Sequence, residues 1–589
     1  MALQTKNINN FRNKRKALFV WLPVTVIIAI GIVYYIKNRP ASYQVDEKTL
    51  AKGKDLFSSQ CRSCHGISEE GIGPRLGGVT LALSEESLIR FIHNPSKVME
   101  AGDKRAKILY KQYKQLMPSF DFMKRDDIHS ILAYIDNETR IAKIEPLKID
   151  TANDNAEKER YAPPVKNSGL TIELQEYIKV PRADSNPPDK GIATLRTNPA
   201  GDGSIFVSDQ MGVIFRIEKS KADTFLDVRL SVPDFISTPG IGTGLGSFAF
   251  HPDFIHNGLI YTTYAEQFIG KPTDFQFADT FKAGLQWVLS EWKINDIKAR
   301  KFMGTRRELL RINTPTTAHG AQDLSFAPTL DKKNPDYGML FLGIGDGGSN
   351  NIKRPDLVHN KQSLLGTVIR INPLGRNSKN GHYGIPPDNP FANDSNPGTR
   401  KEIWAYGFRN PHRLAWDINN DKTRMLVADI GESNIEEINV IEKGKDYGWP
   451  VREGNYGIAT KINLKKVYYL KPEELSLYHA PFAQYDHTDG NAISGGYVYE
   501  GRIQVLKNKY VFGDIATGKL FYVNLDGHLS DSAVYELSIA VNNQLTDLKK
   551  LNNTKRVHLR MGYDPIAKEL FIMTKNGIIR KVTDAYIKK

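Results

Sequence analysis

Gly338-Met339-Leu340-Phe341-Leu342-Gly343-Ile344-Gly345-Asp346-Gly347-Gly348 is a short apolar run closed by a glycine–aspartate turn. A run of this length, rich in aliphatic and aromatic residues and bounded by glycine, reads as a buried strand entering a tight turn. The pattern recurs on both sides of it. Gly203 to Asp209 leads to Gly212–Ile217, Lys509 to Asp514 leads to Gly518–Val523, and Leu570 to Thr574 leads to Gly577–Val582. Gly258–Thr263 and Met425–Asp429 are further copies. Six degenerate strand–turn units predict an all-β, six-bladed β-propeller, in which long loops on one face build a central funnel-shaped site. The spacing is irregular, so periodicity alone leaves a β-sandwich or two β domains open. Amphipathic helices are scarce from about residue 170 onward, which favours all-β in each case.

The N-terminal quarter differs. Both cysteines of the 589-residue chain lie in Cys61-Arg62-Ser63-Cys64-His65. Cys-x-x-Cys-His reads as covalent attachment of a c-type haem, the thiols joined to the haem vinyl groups and the imidazole an axial iron ligand. A thioredoxin-like redox pair is the alternative, and it needs a βαβ context. The flanks are Leu50 to Phe57 before the motif, Gly66 after it, and Gly71-Ile72-Gly73-Pro74-Arg75-Leu76 beyond. This stretch resembles small class I cytochromes c, in which a helix ends at the haem motif and a Gly-Pro-x-Leu loop follows. The resemblance implies a small all-α domain with Met117, in Leu116-Met117-Pro118, as the second axial ligand. A thioether opposite imidazole raises the haem potential, which suits an electron acceptor. Met99, Met123, His93 and His129 compete for that role. Ile128, Ile131, Leu132 and Ile135 fall on one face of a predicted closing helix over 126–138.

Length predicts more than one domain, and 40% hydrophobic with 25% charged residues is an ordinary globular composition. The formal charge of +14 is scattered along the chain without a nucleic-acid motif, so it favours solubility or an anionic surface over nucleic acid. Residues 17–36 carry no charge and would span about 30 Å as a helix. Arg12, Lys14, Arg15 and Lys16 precede them, which predicts a cytoplasmic N-terminus and translocation of the chain beyond Lys37. A cleaved signal peptide would have a shorter apolar core. The expected organisation is a tail and transmembrane anchor over 1–40, a cytochrome c domain over 41–148, a linker over 149–168 and the propeller over 169–589. The expected location is a bacterial inner membrane, single-pass, with both domains periplasmic.

Within residues 170–589, four motifs occur in order: Phe248-Ala249-Phe250-His251-Pro252-Asp253-Phe254; His319-Gly320-Ala321-Gln322-Asp323 with Gly343 to Gly348; Tyr406-Gly407-Phe408-Arg409-Asn410-Pro411; and Asp429-Ile430-Gly431-Glu432 through Tyr447-Gly448-Trp449-Pro450. Together they resemble the soluble glucose and aldose-sugar dehydrogenases (the glucose/sorbosone dehydrogenase family), which use pyrroloquinoline quinone (PQQ). The resemblance implies oxidation of an aldose or related alcohol, with electrons leaving through the haem toward the respiratory chain. It implies His319 as the base, Asp346 as its orienting partner, and Arg409 with Asn410 beside the quinone oxygen. An imidazole titrates near neutrality, and a fixed cation stabilises the charge that develops on the acceptor. The resemblance also implies calcium at the main-chain carbonyls of Gly431 and Glu432, where the family commonly has proline in place of Glu432. Glu436, Glu437 and Tyr447 match a second calcium region. Arg556 or Arg560 corresponds to the family's C-terminal cofactor arginines.

The chain also departs from the family pattern. No lysine stands at the family's cofactor position, Lys519 being displaced by a few residues, and Gly242 and Thr243 occupy the region of an expected glutamine. A tricarboxylate that lost a cationic partner would bind more weakly. These departures keep a second reading open: a propeller that recognises protein or glycan without turnover, attached to an electron-transfer cytochrome. Residues 265–310 and 375–400 are expected to supply substrate-pocket loops.

Overall fold

A computed structural model describes residues 43 and 46–589 apart from 63, 71–72, 114–116, 150–159, 183–190, 239–241, 275–280, 282, 351, 420–421, 460–462, 526–531, 555 and 588–589. The fold is mostly β with a helical N-terminal region. Helix α1 (Glu47–Leu56) starts where the Asp46 carboxylate accepts the Thr49 N–H at 2.7 Å. It widens into a π turn over Phe57–Cys61, which delivers the chain to the Cys-x-x-Cys-His motif. Helices α2 (Glu85–His93), α3 (Lys104–Tyr113) and α4 (Arg125–Ile141) follow. The predicted closing helix is α4, three residues longer at its C-terminal end than expected. Ile128, Ile131, Leu132 and Ile135 are all buried and pack with Phe57, Leu88 and Phe120. Each such side chain contributes roughly 1.5–3 kcal/mol by burial. Helix α1 crosses α4 at Gly53, where a Cβ would lie 1.9 Å from the Ser130 carbonyl oxygen.

From residue 166 the regular elements are nearly all strands. Strand β1 (Lys166–Lys179) is followed by one antiparallel sheet of β2 (Ile192–Thr197), β3 (Ile205–Asp209), β4 (Val213–Glu218) and β5 (Lys221–Asp227). The next holds β6 (Leu245–Phe250), β7 (Leu259–Gln267), β8 (Leu285–Ile294) and β9 (Gly304–Thr314). A third holds β10 (Ala321–Phe326), β11 (Leu340–Ile344), β12 (Thr367–Ile371) and β13 (Ile403–Tyr406). Strands β14 (Pro411–Asn419), β15 (Lys422–Asp429) and β16 (Ile435–Ile441) come next, then a side sheet of β17 (Arg452–Glu453), β18 (Tyr456–Ala459) and β19 (Asn463–Tyr469). Strand β20 (Ala483–Asp486) returns to pair with β16. The last sheet contains β21 (Ile493–Val498), β22 (Lys509–Asp514), β23 (Leu520–Asn524), β24 (Tyr535–Val541), β25 (Gln544–Thr546), β26 (Arg560–Asp564), β27 (Glu569–Met573) and β28 (Ile578–Ile587). Here β1 lies between β24 and β28, parallel to the first and antiparallel to the second, so the start of the β region is stitched to its end. The first strands adjoin in a closed succession: β2 with β6, β6 with β10, β10 with β14, β14 with β21, β21 with β26, and β26 with β2.

Each strand–turn unit quoted from the sequence lies on paired strands. Within 265–310, expected to contribute some of the pocket loops, lies most of the long β8–β9 hairpin. Its Trp287, Leu289 and Ile312 are core residues, which the emphasis on glycine-bounded runs passed over. The expected anchor, residues 17–36, lies outside the described residues, as do residues 150–159 of the expected linker. Among the described residues no helix is long and apolar enough to cross a membrane. The described end of the linker segment is already tied to the β region. The Asp486 carboxylate accepts the N–H groups of Tyr161 and Ala162 at 2.8 and 3.0 Å.

One buried carboxylate ties four first strands together. Asp323 on β10 accepts from Arg196 on β2 (3.1 Å), Ser247 on β6 (2.7 Å) and the Leu414 N–H on β14 (3.1 Å), with Arg413 at 3.8 Å. Removing one partner of a buried ionic network strands the others without compensation. Asp323→Ala should therefore destabilise the β region by about 3–5 kcal/mol, read as a lower denaturant midpoint at unchanged slope. A change under about 1 kcal/mol would reduce Asp323 to one contact among many.

Candidate functional site

The haem motif sits at the end of the π turn, where Cys61 and Cys64 are half-buried thiols that form no disulfide. Burial, reinforced by the neighbouring Cys64, pushes the Cys61 thiol up to about 12. A thioredoxin-like pair needs the opposite, a thiol pulled down toward neutrality. His65 Nδ1 lies 2.7 Å from the Pro74 carbonyl oxygen. A carbonyl only accepts, so Nδ1 carries the proton and Nε2 keeps its lone pair, the tautomer an axial iron ligand requires. The donor set thus fits a c-type haem. Met117 is half-buried and packs against the cluster of Phe57, Leu88 and Phe120. Of its competitors, His93 is bonded to the Met123 carbonyl (3.1 Å) and His129 to Glu85 (2.9 Å), while Met99 and Met123 are buried.

In the β region, His319 lies in the loop between β9 and β10 with φ +49°, and Asp346 follows the end of β11. His319 Nδ1 is 2.7 Å from Asp346 Oδ1, which also accepts the Gly348 N–H at 2.8 Å. Asp346 Oδ2 accepts Trp449 Nε1–H at 3.1 Å. The close fit depends on Gly345, where a Cβ would come within 2.5 Å of the His319 carbonyl oxygen. Burial opposes ionisation of Asp346, but His319, Arg409 and the Gly348 N–H together hold its carboxyl below the usual carboxylate range. An ionised Asp346 fixes the Nδ1–H tautomer and leaves Nε2 as the basic nitrogen.

Arg409 and Asn410 come from the loop between β13 and β14. The Arg409 carbonyl accepts the Asp346 N–H at 2.7 Å, which joins the two loops. Its guanidinium donates to Glu432 (2.8 Å) and to the Ile430 carbonyl (3.0 Å) and lies 5.7 Å from the Trp449 ring centroid. Burial lowers the Arg409 pKa most, yet Glu432 and Asp346 raise it above its ordinary value, so the group is a fixed cation. Trp449, given no role of its own by sequence reasoning, contacts both Asp346 and Arg409. Glu432, expected as a main-chain ligand, is the counter-ion of Arg409.

Asp209, Asp346, Asp429 and Asp514 all close the second strands of their sheets; Asp209, Asp346 and Asp514 accept N–H groups of their own turns, and Asp429 accepts those of Arg409 and Asn410. Asp346 is in addition bonded to an imidazole. The repeat supplies a turn acid and the loop bearing His319 recruits one copy of it.

Beyond His319 is a group of cations. Burial first, then Arg413 and Arg556, pushes the Arg560 guanidinium down to about 9. Burial and neighbouring cations hold His412 and His558 well below the usual imidazole range, and His412 feels His319 as well as Arg560. Asn410 Oδ1 and His412 Nδ1 are buried polar atoms with no hydrogen-bond partner among the described residues. Crowded cations beside orphaned polar atoms fit a polycarboxylate ligand such as PQQ. Lys519, displaced from the family's lysine position, pairs with Glu536 at 3.3 Å. At Gly242, a Cβ would meet the His319 nitrogen at 2.6 Å.

The side chains of the second calcium region are bonded within the protein. Tyr447 donates its hydroxyl to the Val440 carbonyl (2.7 Å) and accepts the Glu442 N–H (2.9 Å). Glu436 is bonded to His487 (2.8 Å) and the Ile493 N–H (2.8 Å), and Glu437 to the Gly454 N–H and Asn439. Burial first of all pushes both carboxyls up. Among the described residues no group of three or more His, Cys, Asp or Glu side chains is placed to hold a metal ion.

The model for glucose/sorbosone dehydrogenase matches residues 194–553, and that for cytochrome c matches residues 50–138. HIPL1 protein of Arabidopsis thaliana is 25% identical over 443 residues, covering 65% of this chain and 60% of that protein. Quinoprotein glucose dehydrogenase B of Acinetobacter calcoaceticus is 27% identical over 291 residues, 45% of this chain and 53% of that protein. The chain therefore spans about half the length of the curated relatives it matches. The soluble aldose sugar dehydrogenase of Escherichia coli, in its apo-form, superposes with a TM-score of 0.50 at 18% identity, over 71% of this chain and all of that one.

Proposed function

The chain belongs to the glucose/sorbosone dehydrogenase family and carries a cytochrome c domain ahead of it, and from that premise we propose a quinohaemoprotein that oxidises a hydroxyl of an aldose or related alcohol and passes the electrons to its own haem c. The closed succession of β2, β6, β10, β14, β21 and β26 is read as six propeller blades around the site. When bound, PQQ supplies a two-electron acceptor. The residues that would hold it are Arg409, Asn410, Arg556 and Arg560. His319 Nε2 takes the hydroxyl proton, and Asp346 stabilises the imidazolium that forms. Arg409 supplies fixed positive charge beside the site without reorganising, because Glu432 and Trp449 already hold it. The single observation that carries this reading is the buried Asp346–His319 pair opening onto a cationic cluster. The membrane anchor, the periplasmic location and a respiratory acceptor rest on the sequence of residues 12–36 and complete the proposal.

The test is a stopped-flow visible spectrum of the oxidised haem protein mixed with PQQ, calcium and a panel of aldoses and alcohols. Substrate-dependent growth of the reduced haem bands that requires the quinone is the expected result, and it identifies the substrate class. A haem that stays oxidised, with no saturable quinone binding, would favour the second reading, a recognition propeller. The pairing of Lys519 with Glu536 is what supports that alternative.

A further inference from the structure

An ion pair joins the segment just after the haem motif to the loop that follows Asp346. Lys353 lies in the loop that begins at Asp346: Ser349 N–H bonds back to the Asp346 carbonyl (3.1 Å), and Lys353 N–H to that of Asn350 (3.0 Å). The Lys353 ammonium is 3.0 Å from Glu69 Oε1. Glu69 in turn accepts from Arg62, inside the Cys-x-x-Cys-His motif, at 3.3 Å. Arg62, Glu69 and Lys353 thus form a chain of charges from the haem attachment segment to the loop that carries His319's partner. Arg556 of the cationic cluster is also within electrostatic reach of Tyr110 of the cytochrome domain, as well as of Asp514.

We infer that the cytochrome domain docks on the site-bearing face of the β region through a Glu69–Lys353 ion-pair latch, so that the haem attachment segment lies next to the cationic cluster. This rests on the dehydrogenase reading and adds to it where electrons cross. Oxidising one hydroxyl to a carbonyl releases two electrons and two protons, while one haem iron takes a single electron, ferric to ferrous. The contact must therefore serve twice per turnover, with an external one-electron acceptor reoxidising the iron in between. An ion pair suits a contact that forms and re-forms. Lys353 is two-thirds exposed, so the pair is weak by itself and strongly screened by salt, and tethering within one chain supplies a high effective concentration.

The test uses the full-length haem protein and reads the contact directly. Carbodiimide activation, which joins a carboxylate to an amine only when they touch, should yield a Glu69–Lys353 cross-link by peptide mass mapping at low salt. The link should fade at high ionic strength. The Glu569–Lys581 pair, at 3.0 Å within one sheet, is the internal standard. A Glu569–Lys581 link without any Glu69–Lys353 link would overturn the docking. In the quinone-loaded protein, Lys353→Glu should slow substrate-driven haem reduction by about tenfold while oxidation with a soluble dye stays unchanged. Adding Glu69→Lys should restore the rate. Unchanged haem reduction in Lys353→Glu, with dye-linked oxidation intact, sinks the latch and leaves the dehydrogenase standing. Absence of dye-linked oxidation in the unmodified protein sinks the dehydrogenase, and the cross-link still decides the docking.

Discussion

His319→Ala should lower substrate oxidation by about 10²–10⁴-fold with a soluble acceptor while haem content stays unchanged. The size comes from the role: Nε2 is the nitrogen left basic when Asp346 holds the Nδ1 proton at 2.7 Å, and water does not replace a positioned base. His319 has φ +49°, a conformation that costs alanine more than asparagine. His319→Asn is therefore the cleaner variant, keeping the backbone while removing the base, and it should fail as completely. Asp346→Asn should also lose rate, through the wrong tautomer rather than a missing base. The carboxyl of Asp346 titrates below its unfolded value, so its contribution to stability is complete above about pH 4 and is lost only as pH falls through that lower folded value. Turnover that survives in His319→Asn would remove His319 as the base whatever the fate of the cofactor.

What the sequence could and could not reveal divides along a physical line. Local signals were legible: the Ile128–Ile135 face, the strand runs, Cys-x-x-Cys-His and the Gly-Asp turn at 345–346 all arise from neighbours in the chain. His319 and Asp346 stood out because each sits inside a motif, and the structure brings them together. Trp449 is 103 residues from Asp346, and nothing local signals that its indole N–H ends on that carboxylate. The Glu432 side chain likewise became the partner of Arg409 only when two loops met. The tie formed by Asp323 joins four strands, and the stitching of β1 between β24 and β28 joins the two ends of the β region. Both depend on ring closure rather than on any window of sequence.

Cys61→Ala combined with Cys64→Ala should abolish substrate-driven cytochrome reduction altogether while dye-linked oxidation continues near its original rate. Without both thiols the haem has no covalent attachment, and His65 alone is one axial ligand on a group the protein no longer retains. The helical core of Phe57, Leu88 and Ile131 lies within residues 43–149 and shares none of the buried clusters of the β region, so loosening it leaves the His319 site standing. The Glu69–Lys353 contact between the two parts is polar and partly exposed, and a contact of that kind contributes about 0–1 kcal/mol. Haem content by absorbance, dye-linked rate and thermal unfolding of the β region are the three readouts. If dye-linked oxidation disappears while the β region still unfolds cooperatively at its original temperature, the haem does more than accept electrons. The cytochrome domain would then be part of the oxidation site itself, with Arg556, within electrostatic reach of Tyr110 of that domain, as the residue through which it acts.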